Sequence, residues 1–148
     1  MTSLRRLLFA VVCLLWAGVL LGIALAEAVK FRAPTLSRSV AFDVGRTVFH
    51  ASQSLQLLPL ALAVAAAARS RLTRSAWACL AVAALALLLQ TVWLFPLLDA
   101  RAQTLIAGGV PAGPSPHASY ASLEVLKVLA LTLAAVLALR TPDARASP

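Results

Sequence analysis

The chain has 148 residues, of which 61% are hydrophobic and 12% charged, and it carries a formal net charge of +8. A soluble domain of this length has too small a core to hide so much apolar surface, so the composition excludes an ordinary soluble globular fold. The basic excess does not call for nucleic acid, because the charges cluster between apolar runs, where flanks of membrane helices place them.

A bilayer core about 30 Å thick takes about 20 apolar residues in helix. Four runs reach that length: 7–28, 48–68, 76–98 and 123–139. The sequence therefore predicts an all-α fold, an integral membrane four-helix bundle forming one domain over 1–148, with 140–148 as a frayed tail. The first run has two readings. "TSLRR", an apolar stretch and "ALA" before Glu27 resemble a signal peptide with an A-x-A cleavage site. The apolar stretch is longer than a usual signal core, which favours a retained helix. Gly18 and Gly22 form a G-x-x-x-G pattern that allows close helix approach, either to a second copy of the chain or to another membrane partner.

The second run carries Pro59, which deprives the Leu55 carbonyl of its helical partner and predicts a kink there. The short link "SRLTR" makes runs two and three an antiparallel hairpin. The longer link "DARAQTLIAGGVPAGPSP", rich in Gly and Pro, is expected to be an irregular exposed loop. Cys13 and Cys79 each lie within an apolar run and form no C-x-x-C, so they read as small buried residues. Trp16, Trp77 and Trp93 read as interface anchors or packing. Basic residues set the orientation. With both termini in the cytoplasm, the inner side holds Arg5, Arg6, Arg69, Arg71, Arg74, Arg140 and Arg145. The outer loops hold Lys30, Arg32, Arg38, Arg46 and Arg101, so the inner side is favoured. Alanine-rich, arginine-over-lysine usage suggests a bacterial source, hence a multi-pass protein of the bacterial cytoplasmic (inner) membrane.

In either orientation the first and third loops share one side of the membrane, and the polar residues gather there. Run one ends with Glu27 and Lys30. Run two is led in by Asp43, Arg46, His50 and Gln53. Run three ends with Gln90, Trp93, Asp99 and Arg101. Run four opens with His117, Tyr120, Glu124 and Lys127. Two of these sets repeat at i, i+3, i+7 and i+10, within roughly 80° of one helix face. A charge near the bilayer centre costs roughly 2.5–3.5 kcal/mol, so such stripes face protein or water. Glu124 and Asp43 are expected to pair with Arg46, Lys127 or Arg101.

"VGRTVFHASQSLQLLPL", "WLFPLLDARAQ" and "HASYASLEVLK", in that order, resemble the bacterial domain-of-unknown-function 4149 group and the related eukaryotic transmembrane-protein-205-like proteins. The positions that carry the resemblance are Gly45, Gln53, Ser54 and Pro59, then Pro96 and Arg101, then His117, Ser122 and Leu123. It spans about Trp16 to Leu139, and implies a four-helix integral membrane protein with no established biochemical activity.

Three chemistries fit the polar end. His50 and His117 on neighbouring helices can ligate haem iron or a transition metal, or each can simply hydrogen-bond locally at the interface. Glu124, its charge set by Arg46 or Lys127, can line a proton or ion path, or simply close a local pair with Lys127. Arg46 and Arg101 can clasp a carboxylate or phosphate, or reach to headgroups. There is no G-x-S-x-G, H-E-x-x-H or phosphate loop, and no catalytic residue or cofactor is assigned. The expected function is thus a small membrane protein whose polar end is a structural clamp or a shallow ligand or ion site. The alternatives are a small transporter or metal-handling protein and a membrane haem or redox protein.

Overall fold

The computed structural model describes residues 2–140, and among these the regular structure is entirely helical. Four helical stretches are long and apolar enough to cross a membrane: Ser3–Arg32, Arg38–Ala68, Arg74–Ile106 and His117–Arg140. The first consists of α1 (Thr2–Val29) and a 3-10 turn, Lys30–Arg32. The second is α2 (Arg38–Leu55) and α3 (Leu57–Ala68). The third is α4 (Arg74–Leu89), a π-helical turn (Gln90–Leu94) and α5 (Phe95–Ile106). The fourth is α6 (His117–Arg140). The tail at 141–148, including Arg145 of the orientation argument, lies outside the described residues.

Start signals are read locally. Ser37 accepts a hydrogen bond from the Val40 backbone N–H, and Thr73 accepts one from Ala76, each satisfying a donor of the first turn. The helices run beyond the apolar stretches that announced them. The second begins at Arg38, ten residues before the predicted run, because helix continues wherever backbone bonds can be made, whatever the hydropathy.

The third loop corrects the sequence reading. Its first half, expected to be irregular, is the body of α5, where Ala, Arg, Gln and Leu are good helix formers. The stop comes at glycine. Gly108 takes φ +77°, its N–H bonds the Leu105 carbonyl, and the Gly109 N–H bonds the Thr104 carbonyl. These are the paired bonds of a Schellman cap. Only 107–116 is left as a loop.

Two irregularities lie next to prolines. The kink expected at Pro59 is centred one turn earlier, at Gln56, the non-helical residue between α2 and α3. The ring removes the bond to Leu55, and the backbone relaxes on the N-terminal side of it. Similarly, Pro96 offers no N–H to Val92, and the turn before it widens so that the Phe95 N–H reaches back to Gln90. Both adjustments fall where a glutamine side chain enters the interior.

α6 is central, packing against α1 on one side and α4 on the other, while α1 also meets α3 and α2 lies on α5. Small side chains make the contacts: Ala130, Ala134, Ala135 and Ala138 of α6 are buried, as are Ala83 of α4 and, in α3 against α1, Ala63 and Ala67. Phe9, Cys13, Trp16 and Leu20 of α1 fill the remaining space. Leucines such as Leu15, Leu25, Leu58, Leu88 and Leu129 stand on the outside. Gly18 and Gly22 also face outward, with nothing within 4 Å of where a Cβ would sit, so among the described residues no helix packs on their small-residue face.

Candidate functional site

The polar residues divide into an inner network and an outer cluster. The inner network centres on Lys127, whose side chain is wholly buried. Its ammonium donates to Gln56 Oε1 at 2.6 Å and Gln90 Oε1 at 2.7 Å, and lies 3.1 Å from Glu124 Oε2. An ammonium has three donors, and three acceptors surround it. Gln90, also without exposure, donates to Glu124 Oε2 at 2.7 Å and to the Tyr120 carbonyl at 3.1 Å. Gln53 donates to the Tyr120 hydroxyl at 2.9 Å and accepts from Gln56 and Thr91. Helical spacing places Tyr120, Glu124 and Lys127 on one face of α6. The relaxed turns at Gln56 and Gln90 bring the partners in from the second and third stretches. The network therefore ties three stretches of the chain together.

Glu124 and Lys127 are one turn apart, but their pair is not self-contained, since two glutamines share the charge. Gln56 and Thr91 were missed by the sequence reading. Gln56 carried a signal, since it lies three residues beyond Gln53 and so extends the polar face of the second run by one turn. Thr91 carried none, because threonine in an apolar helix usually bonds its own backbone, and here it does that too, to Leu87 at 2.8 Å.

The outer cluster centres on Asp99 of α5. Arg46 Nε lies 2.7 Å from Asp99 Oδ1, an ion pair whose N–H is not aligned as a hydrogen bond, while Nη2 donates to Oδ2 at 3.4 Å. His50 Nε2 is 2.7 Å from Oδ1, where a protonated Nε2 donates to the carboxylate. Gln103, one turn along α5, donates to Oδ2 at 2.7 Å. Arg46 and His50 share a face of α2, so one carboxylate on α5 pins the two helices.

The expected pairing of Asp43 is corrected. Its side chain is exposed, with no ion-pair partner among the described residues, because it points away from the face of α2 that buries Ala41 and Gly45. Arg101 also has no carboxylate partner among the described residues. Its Nη1 donates to the carbonyls of Ala112 at 3.3 Å and Gly113 at 3.1 Å, holding the 107–116 loop against α5. Glu27 and Lys30 pair with each other and lie over Gly45, where a Cβ would fall on the Lys30 ammonium. Gly45 thus lets the end of α1 approach the α2 backbone.

Between these groups lies a cleft of two adjoining lobes. One, about 260 Å³, is lined by Phe31, Phe42, Phe49 and Phe95 with Arg46 and Arg101. The other, about 400 Å³, is lined mainly by apolar side chains of α1 and α6, with Tyr120 and Glu124 on its wall. Glu27, Phe31, Phe49 and His117 border both. The two histidines have separate surroundings. His117 is exposed at the cleft, whereas His50 bonds Asp99 and meets the edge of Phe95. No group of three or more His, Cys, Asp or Glu side chains is placed to hold a metal ion among the described residues.

Comparison with models of known families, with curated proteins and with solved structures finds no match to this chain.

Proposed function

We propose that the chain is a non-enzymatic, four-span protein of the bacterial cytoplasmic membrane. On this reading the inner polar network clamps the spans and the cleft at the same end is a shallow ligand site. The carrying observation is the Lys127 ammonium, wholly buried in an apolar bundle and met by Gln56, Gln90 and Glu124. A charge held away from water persists only when its donors are satisfied. Further support comes from the outward-facing leucines, which would form an untenably large apolar surface in water. The resemblance to the domain-of-unknown-function 4149 group suits a four-span protein and adds no activity. Both termini are assigned to the cytoplasm from the distribution of loop arginines.

A mutant cycle tests the clamp. Glu124→Gln removes the anion and leaves the Lys127 charge in place. One-sided loss of a fully buried pair costs about 3–5 kcal/mol, and Glu124 retains some exposure, so the lower end of that range is expected. The double change Glu124→Gln with Lys127→Met removes the charge as well and should recover much of the loss. Thermal denaturation in detergent reads both. An unchanged midpoint for Glu124→Gln would sink the clamp reading.

A further inference from the structure

We infer that the two-lobed cleft binds a membrane lipid with an anionic phosphate headgroup, the head beside Arg101 and His117 and an acyl chain in the lobe between α1 and α6. This deepens the ligand-site reading and rests on it.

The charges in the cleft select the sign of the ligand. Each carboxylate lining it already has a cation: Glu27 has Lys30, Asp99 has Arg46, and Glu124 has Lys127. Arg101 has only neutral carbonyl partners, and these engage Nη1 alone, leaving Nε and Nη2 without partners among the described residues. The His117 ring has no hydrogen-bond partner among them either. His117 also begins α6, a helix of 24 residues, which turns its positive end toward the same place. The smaller lobe therefore holds one uncompensated positive charge and free donors suited to a phosphate.

The second lobe selects what is attached to that anion. Leu20, Leu21, Ile23 and Ala24 of α1 face Val125 and Val128 of α6 across it. Leu21 and Val125 are more than half exposed, so the lobe opens onto the apolar outer surface, and in a bilayer its contents would be continuous with the acyl region. A free inorganic anion would leave this lobe empty, whereas an uncharged lipid would leave Arg101 unanswered. An anionic phospholipid fits both lobes.

The experiment uses the full chain purified in detergent, with thermal denaturation and native mass spectrometry as readouts. Phosphatidylglycerol, phosphatidylcholine and inorganic phosphate are added separately. A ligand that binds only the folded state raises the midpoint. Phosphatidylglycerol should raise it and remain bound in the spectrometer, with phosphatidylcholine and phosphate doing much less. Arg101→Gln should weaken phosphatidylglycerol binding roughly tenfold or more. Ala24→Phe, which fills the apolar lobe and leaves Arg101 in place, should abolish it. Equal stabilisation by phosphatidylcholine would overturn the anion selection, and the full shift with phosphate alone would overturn the lipid. Wild-type affinity in both variants would overturn the location. If Arg101→Gln does not fold, Ala24→Phe and the lipid comparison decide. These outcomes are independent of the Glu124–Lys127 cycle, so the lipid site and the clamp can fail separately.

Discussion

Lys127 is costly to bury and is tolerated because no donor on its ammonium is left unanswered. The same accounting ranks its neighbours. Gln90 serves three partners with one amide: it accepts from Lys127 and donates to Glu124 and to the Tyr120 backbone. Replacing it with Leu leaves a buried cation short of an acceptor and a carboxylate short of a donor, at a cost of about 2–3 kcal/mol. Gln53 serves only uncharged groups, the Tyr120 hydroxyl, Gln56 and Thr91, so Gln53→Leu should cost about 1 kcal/mol. Thermal midpoints of the two variants in one detergent check the order. A Gln53 variant less stable than the Gln90 variant would mean that Lys127 is not the centre of the network.

Each of the second and third helical stretches contains an interruption just before a proline, and each interruption presents a glutamine to Lys127. A regular helix keeps its side-chain directions at a constant angular step, so a stretch apolar on its inner face has few ways to offer an amide inward. A local change of turn alters that step without ending the helix. The end of α5 is set with similar economy, by Gly108 in a conformation that costs other residues about 1–2 kcal/mol. Gly108→Ala should therefore lower stability by about 1 kcal/mol. It should also increase amide exchange at Gly109, whose N–H makes the 2.9 Å closing bond. Protection at Gly109 equal to wild type would show that the cap does not depend on the left-handed residue.

The bundle has two unlike ends. Alanine contacts around α6 close one end, and the other carries the polar network, the Asp99 cluster and the cleft. The proposed four-span topology puts the hairpin and the third loop on opposite sides of the bilayer. Reporter fusions after Leu72 and after Gly109 should then give opposite signals, with the Leu72 fusion cytoplasmic; matching signals would exclude that topology. The proposed four-span reading keeps the first span, which contributes Phe9, Cys13 and Trp16 to the core cluster. Intact mass of the membrane-extracted protein checks this, since a mature N-terminus at Glu27 would remove the whole of that contribution.

The amino-acid sequence alone determined the helical class, the presence of four long apolar helices and the end at which polar residues collect. These follow from run length and from helical spacing, which depend only on neighbours in the chain. It did not determine where the helices end, because hydropathy reports the apolar stretch while backbone bonding carries α2 and α5 well past it. Nor could it separate the polar residues into their working groups. His117, Tyr120, Glu124 and Lys127 have equivalent places on one stripe, yet His117 lies exposed at the cleft and Lys127 is wholly buried. The choice of Asp99 for Arg46 and His50, and of Gln56 and Gln90 for Lys127, was made by tertiary structure. Which side chains meet across a bundle depends on how the helices cross and where their turns relax, and both are set by packing between segments far apart in the chain.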